Sequence, residues 1–186
     1  MYRRPVKEYP NHQYVTGKQH KPGTFMSESA YAEALDALVI CCADAAILHQ
    51  GSWLIARRVW EPLPDWWIIG GRMRKGELIE QALRRNLRRE LYLDIPEDRL
   101  LNIIGYYNMI WDTRAQEPAT NGCHLFSITT AVQLTDEEKA CLQLNEEYAD
   151  AQWVDPIHVI GNADQFHPCL VQVARDIIRQ DSKIEV

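Results

Sequence analysis

Five residues in one short stretch, Glu77, Arg85, Asn86, Arg89 and Glu90, have the types and spacing for chemistry on a phosphate or a metal ion. Positions 86, 89 and 90 stand at i, i+3 and i+4, so a helix carries them on one face, where they converge on a single ion or phosphate. Carboxylates at all three would hold Mg2+, a hard cation that takes oxygen ligands and fills its shell with water and substrate phosphate. Here Glu90 is the one carboxylate of the three; Asn86 offers a carbonyl oxygen, and Arg89 either repels a divalent ion or takes over part of its electrostatic task. A cluster of several metal ions is therefore not expected. The surroundings are basic: Arg72, Arg74, Lys75, Arg84, Arg85, Arg88 and Arg89 stand against only Glu77 and Glu80. On a protein of formal net charge −6 such a patch suits a small anionic ligand, the plainer reading being a solvated helix face.

The elements that must position these residues are legible in the pattern. Ile79, Leu83, Leu87 and Leu91 recur at four-residue steps and predict an amphipathic helix from Glu77, closed before Pro96. Trp66 to Ile69 reads as a short strand running into Gly70-Gly71. Upstream, Ser27 to Ala37 reads as a helix capped at Ser27 or Ser29, Leu38 to Leu48 as a buried strand, His49 to Ser52 as a turn and Trp53 to Val59 as the returning strand. Two prolines, Pro62 and Pro64, make Glu61 to Asp65 a loop. Leu100 to Ile110, Cys123 to Val132 and Ala151 to Val154 read as strands. Thr135 with Glu138 three residues on opens a helix up to Leu142, and Pro168 to Gln180 has a terminal-helix pattern. Hairpins mixed with helices imply a mixed sheet, not a doubly wound one.

The stretch Gly71-x5-Glu77-x7-Arg85-Asn86-Leu87-Arg88-Arg89-Glu90-Leu91-Tyr92-Leu93 resembles the Nudix box, whose pattern is G-x5-E-x7-R-E-U-x-E-E-x-G-U with U aliphatic. Gly71, Glu77, Arg85, Leu87, Glu90 and Leu93 match in register, whereas Asn86, Arg89 and Tyr92 depart. The resemblance implies a Nudix α/β/α sandwich, with Arg85 paired to Glu77 to shape the loop and helix. The box is most similar to that of GDP-mannose mannosyl hydrolases, which likewise keep the carboxylate matching Glu90 and lack the other two. In that group water attacks the anomeric carbon, so one Mg2+, or Mn2+ in its place, need only stabilise a departing nucleoside diphosphate.

Further positions look like those of that group. Arg57 and Arg72 would clamp phosphate oxygens, with Arg89 and Tyr148 as further substrate contacts. Glu146 to Trp153 is similar to the late segment E-x-x-E-x-x-W, which makes Glu147 a second metal ligand or the general base; the backbone carbonyl of Gly71 would complete the shell around Glu90 and Glu147. The group's loop histidine has no counterpart between Asn145 and Trp153, leaving Glu147, His124 or Tyr148 as substitutes for the base. His124, in the strand Cys123 to Phe126, also looks like a position of that group, and the resemblance implies Glu90, Glu147 and His124 as the catalytic set, with the identity of the base left open. His124 on a strand has the plainer reading of a hydrogen-bonded structural residue, and Trp66, Trp67, Trp111, Tyr106 and Tyr107 that of core rings.

The whole chain bounds these readings. Its 186 residues suit one domain, read as residues 26–186, with residues 1–25 as a polar arm. No apolar run approaches membrane-spanning length and no secretory leader is read, so no membrane partner is expected. Five cysteines without a C-x-x-C pair fit reduced thiols in the cytoplasm. An acidic total argues against nucleic acid as partner. The resemblance implies a homodimer acting on a small-molecule nucleoside diphosphate derivative, most simply a nucleotide sugar of the GDP-mannose kind. The rival is a catalytically impaired Nudix domain serving as a nucleotide-binding sensor or interaction module, which Asn86 and Arg89 favour.

Overall fold

Short alternating segments Val6–Tyr9 (β1) and Gln13–Thr16 (β2) pair antiparallel within the stretch read as an arm. The computed structural model describes residues 4–17, 23 and 25–181, so part of that arm lies outside the described residues. Helix α1, Glu28–Ala37, begins where the Ser27 hydroxyl accepts the Ala30 N–H at 3.3 Å. Then come β3 (Ile40–His49) and β4 (Ser52–Arg58), joined through Gln50 and Gly51, whose φ of 47° and 78° are the left-handed pair of a type I′ hairpin. After the proline loop, β5 (Trp66–Trp67) and β6 (Ile69–Arg72) replace the one strand expected from the sequence.

Helix α2 spans Ile79–Leu91. It starts two residues later than the sequence pattern suggested, and side chains satisfy the N–H groups at its start: Gln81, in its own first turn, accepts the Leu78 N–H at 3.1 Å, and Gln13, from the β1–β2 hairpin, accepts the Ile79 N–H at 2.9 Å. Gln13 also donates to Glu80 at 2.8 Å, so the β1–β2 hairpin is seated on the start of α2. The helix ends at Tyr92, which is left-handed at φ 55° and therefore explains why the box pattern carries glycine there.

The remaining elements are β7 (Ile103–Trp111), β8 (Cys123–Gln133), α3 (Asp136–Cys141, with the Thr135–Glu138 capping box), β9 (Tyr148–Val154), α4 (Pro156–Gly161) and α5 (Pro168–Asp181). Helix α4 has no forerunner in the sequence reading; Asp155 caps it and Pro156 occupies its first turn.

Seven strands form one mixed sheet in the order β5-β4-β3-β8-β7, with β6 also on β3 and β9 also on β4. β3 and β8 run parallel and the other pairs antiparallel. Successive residues of β3 point to opposite layers. Ala43, Ala45 and Ile47 meet the α2 stripe of Ile79, Leu83, Leu87 and Leu91. Ala46 faces the other way, into the core that Leu170, Val173, Ala174 and Ile177 of α5 make with Trp53, Ile55, Tyr107 and Met109. Each fully buried leucine of α2 contributes about 1.5 to 3 kcal/mol of transfer free energy, which is what fixes the helix, and its polar face, on the sheet. The architecture is the expected α/β/α sandwich around a mixed sheet. Among the described residues no helix is long and apolar enough to cross a membrane, and all five cysteines are free.

Candidate functional site

The α2 segment is tied to the sheet by two polar knots. In the first, Arg85 donates Nε to Glu77 Oε1 at 2.6 Å and Nη2 to Glu77 Oε2 at 2.8 Å, and also reaches the Arg72 carbonyl at 2.9 Å. Burial alone would raise the Glu77 carboxyl, but the hydrogen bonds from Arg85 and from the Arg74 N–H hold it below its ordinary range. In the second, fully buried Asn86 donates Nδ2 to the carbonyls of Gly71 at 2.9 Å and Ala43 at 3.2 Å, and accepts from Arg85 Nη1 at 2.7 Å. A carboxylate here would face two carbonyl oxygens, so the amide is the side chain this packing requires.

One turn on, Glu90 is wholly buried. Its Oε2 accepts from the Tyr148 hydroxyl at 2.6 Å and from the Gly70 N–H at 3.0 Å, and its Oε1 lies against Arg89 Nη2. The same Arg89 nitrogen is 3.5 Å from Glu147 Oε1. Burial pushes the Glu90 carboxyl up, and the Arg89 charge and the Tyr148 hydroxyl partly offset it. Gly70 makes this arrangement possible. At φ 145° it passes so close to β3 that a Cβ there would stand 2.3 Å from Asp44 Oδ1 and 2.7 Å from the Ala43 carbonyl.

Beside this wall opens a cleft of about 570 Å3. Gly71, Arg72, Arg89, Glu147 and Tyr148 all line it, so five of the residues singled out from the sequence come together. Arg72 enters from β6 with its guanidinium 4.0 Å from the centre of the Tyr31 ring of α1, a cation–π contact that fixes its direction. Arg57 and His124 do not line the cleft. Arg57 is exposed beyond it, and Arg58, at the point where the β4–β9 register skips Ala149, is the arginine of β4 that lines the cleft. His124 stands between two cleft residues of β8, Cys123 and Leu125, and so points to the opposite face of the sheet, where Nε2 meets Asn108 Oδ1 at 2.5 Å.

The sequence reading passed over Arg58, Asp44, Trp60 and Arg114. Asp44 is the one acid in the apolar run of β3, an isolated charge that was its only signal. It is 5% exposed on the cleft wall and accepts from Ser127 Oγ at 2.5 Å. Burial raises its carboxyl to about 7, against the pull of the Ser127 hydroxyl and the Arg58 charge. Trp60 is an exposed ring at the cleft mouth. Buried Arg114 is held by Asp36 at 2.7 Å and by the Gly122 and Gln116 carbonyls, while its Nη2 is buried with no partner among the described residues. Trp67 and Trp111 pack edge to face in the core, and Tyr106 stacks on Phe126 away from the cleft.

The residues do not fit a divalent ion as they stand. The Gly71 carbonyl is taken by Asn86, both oxygens of Glu90 are hydrogen-bonded, and the Arg89 guanidinium lies against the two carboxylates that would have to share the ion. No group of three or more His, Cys, Asp or Glu able to hold a metal occurs among the described residues. What the cleft offers chemically is guanidiniums for an anion beside carboxyl groups: Arg58, Arg72, Arg89 and Arg114 line it together with Glu28, Asp44, Glu61 and Glu147, and of the four arginines Arg114 is the one already held by Asp36 and backbone carbonyls.

The structure is similar to the MutT protein of Methanosarcina mazei Go1, at 15% identity over 80% of this chain and 96% of that one, with a TM-score of 0.57. It is also similar to the MutT NUDIX hydrolase of Burkholderia pseudomallei, at 20% identity over 64% and 85% of the two chains with a TM-score of 0.53. A C. elegans Ap4A hydrolase in a binary complex matches at 16% identity over 78% and 99%, also with a TM-score of 0.53. Identities this low speak for the fold. No curated protein matches the chain. The family model for the NUDIX domain matches residues 37–176, from the end of α1 well into α5. Glu77, Arg85, Glu90 and the cleft above them all fall inside that span, and the chain belongs to the NUDIX domain family.

Proposed function

We propose that this NUDIX domain hydrolyses a nucleoside diphosphate linked to another group, a nucleotide sugar being the class its box resembles. The observation that carries the reading is the convergence of Arg58, Arg72 and Arg89 with Glu147 on one cleft. Guanidiniums give charge-assisted, bidentate hydrogen bonds to phosphate oxygens, and they bind more strongly as negative charge develops on a departing diphosphate. In the reaction, a water oxygen forms the new bond to the anomeric carbon. The bond from that carbon to the β-phosphate oxygen breaks with its electron pair, and the nucleoside diphosphate leaves. Glu147, partly exposed beside Arg89, takes the water proton. The exposed Trp60 ring at the mouth offers a face to the nucleobase.

A second reading, ligand binding without turnover, is favoured by Glu90, whose carboxylate is buried and fully hydrogen-bonded. One experiment separates the two. The purified chain is incubated in 18O water with GDP-, ADP- and UDP-sugars, ADP-ribose and Ap4A, with and without Mg2+, and both products are weighed by mass spectrometry. Labelled free sugar beside an unlabelled nucleoside diphosphate supports attack at the glycosyl carbon. Labelled phosphate overturns it in favour of attack at phosphorus. No turnover with retained binding establishes the second reading.

A further inference from the structure

Of the seven cations between Arg72 and Arg89, those on α2 other than Arg89 are spent on the scaffold: Arg84 and Arg88 pair with Asp94, and Arg85 with Glu77. Arg89 alone among them turns to the carboxylates of the cleft, with Nη2 against Glu90 Oε1 and 3.5 Å from Glu147 Oε1. Glu90 needs such a partner, because its side chain has no exposure at all and a buried, unpaired carboxylate is strongly destabilising. The partner is part of the chain. A guanidinium carries five N–H donors in a planar fork, and these two contacts engage only one of its nitrogens. The side chain is 40% exposed and lines the cleft, so its other donors remain available there.

Resting on the reading of the cleft as a diphosphate site, we infer that Arg89 is the built-in cation of this domain: it bridges Glu90 and Glu147 and offers its remaining donors to the diphosphate, so that ligand binding needs no divalent ion. The arrangement also explains why an acid is absent from position 86. With a cation supplied by the chain itself, no further carboxylate is needed to hold one, and Asn86 is free to tie α2 to β3 and β6.

Two measurements on the full chain test this. In the first, Mn2+ is titrated into metal-free protein and followed by electron paramagnetic resonance and calorimetry, for the native chain and for Arg89→Gln and Arg89→Glu. The native chain is expected to take up no Mn2+ below the millimolar range, whereas Arg89→Glu gains affinity by at least about tenfold and Arg89→Gln by less. Micromolar Mn2+ binding by the native chain would overturn the inference, and so would variants that fold, by near-ultraviolet circular dichroism, yet bind Mn2+ no better than it does. In the second, GDP and inorganic pyrophosphate are titrated in EDTA. Native binding should persist, and Arg89→Gln should weaken it about tenfold. Binding of either compound only when Mg2+ is added overturns the inference. Failure of both to bind under any condition overturns the diphosphate reading instead, and the Mn2+ titration then still decides whether Arg89 occupies the place of an ion.

Discussion

The Asn86 side chain donates to the Gly71 carbonyl at 2.9 Å, inside a wall where the residue has no solvent exposure. A carboxylate in its place would set a negative charge against the carbonyls of Gly71 and Ala43, with only Arg85 Nη1 left as a favourable contact. Asn86→Asp should therefore lower stability by about 3 kcal/mol at pH 8, less near pH 4 where the new acid protonates. Urea denaturation at the two pH values measures this, and equal stability of variant and native chain at pH 8 would remove the knot from the account of the wall.

Asp44 gives a pH dependence of definite sign. Its carboxyl is raised from 3.8 to about 7 by burial, so the folded state holds the proton more tightly than the unfolded one. The stability this provides is complete below pH 3.8 and is lost as pH rises through 7. Over the whole interval that loss amounts to roughly 4 kcal/mol. Asp44→Asn can still accept from Ser127 and carries no charge, so its stability should exceed that of the native chain at pH 8 and converge on it towards pH 4. Parallel curves for the two proteins would show that Asp44 does not titrate this way.

Tyr92 holds a left-handed backbone that costs a non-glycine residue about 1 kcal/mol, and its ring is largely exposed, so little packing is lost on removing it. Tyr92→Gly should raise stability by about 1 kcal/mol in thermal or urea unfolding. A variant less stable than the native chain would mean that the exposed ring packs against something.

Much of this was written in the chain, and the exceptions have physical causes. The stripe Ile79, Leu83, Leu87 and Leu91 foretold α2 because burial repeats every turn, and the composition of β3 and β8 foretold the central strands. Register was the weak point. Where the β4–β9 register shifts by one residue, at Ala149 of β9, Arg58 and not Arg57 lines the cleft, and one position along β8 decides that His124 faces Asn108. The cap that Gln13 gives to α2 joins residues 66 apart in sequence, a distance at which local patterns carry no information. Asp44 was hidden because a single acid in an apolar run marks a site only when its surroundings are known.

Glu147 stands 3.5 Å from Arg89, and the proposed reaction gives it the proton of the attacking water. Glu147→Gln keeps the shape and removes the base, so kcat should fall by about 100-fold or more while the Kd for the nucleotide sugar moves by less than about threefold. Steady-state kinetics paired with calorimetry read both numbers. Undiminished kcat would reassign the base, and a large loss of affinity with kcat intact would make Glu147 a binding residue.

The most direct test of the arginine-lined cleft is calorimetric titration of GDP and a GDP-sugar into the native chain, Arg58→Ala, Arg72→Ala and Arg57→Ala, since Arg58 and Arg72 line the cleft and Arg57 does not. Expected is saturable binding that weakens at least about tenfold in Arg58→Ala and Arg72→Ala and is unchanged in Arg57→Ala. Equal affinity in all four proteins, or a loss confined to Arg57→Ala, would contradict the placement of the diphosphate in this cleft.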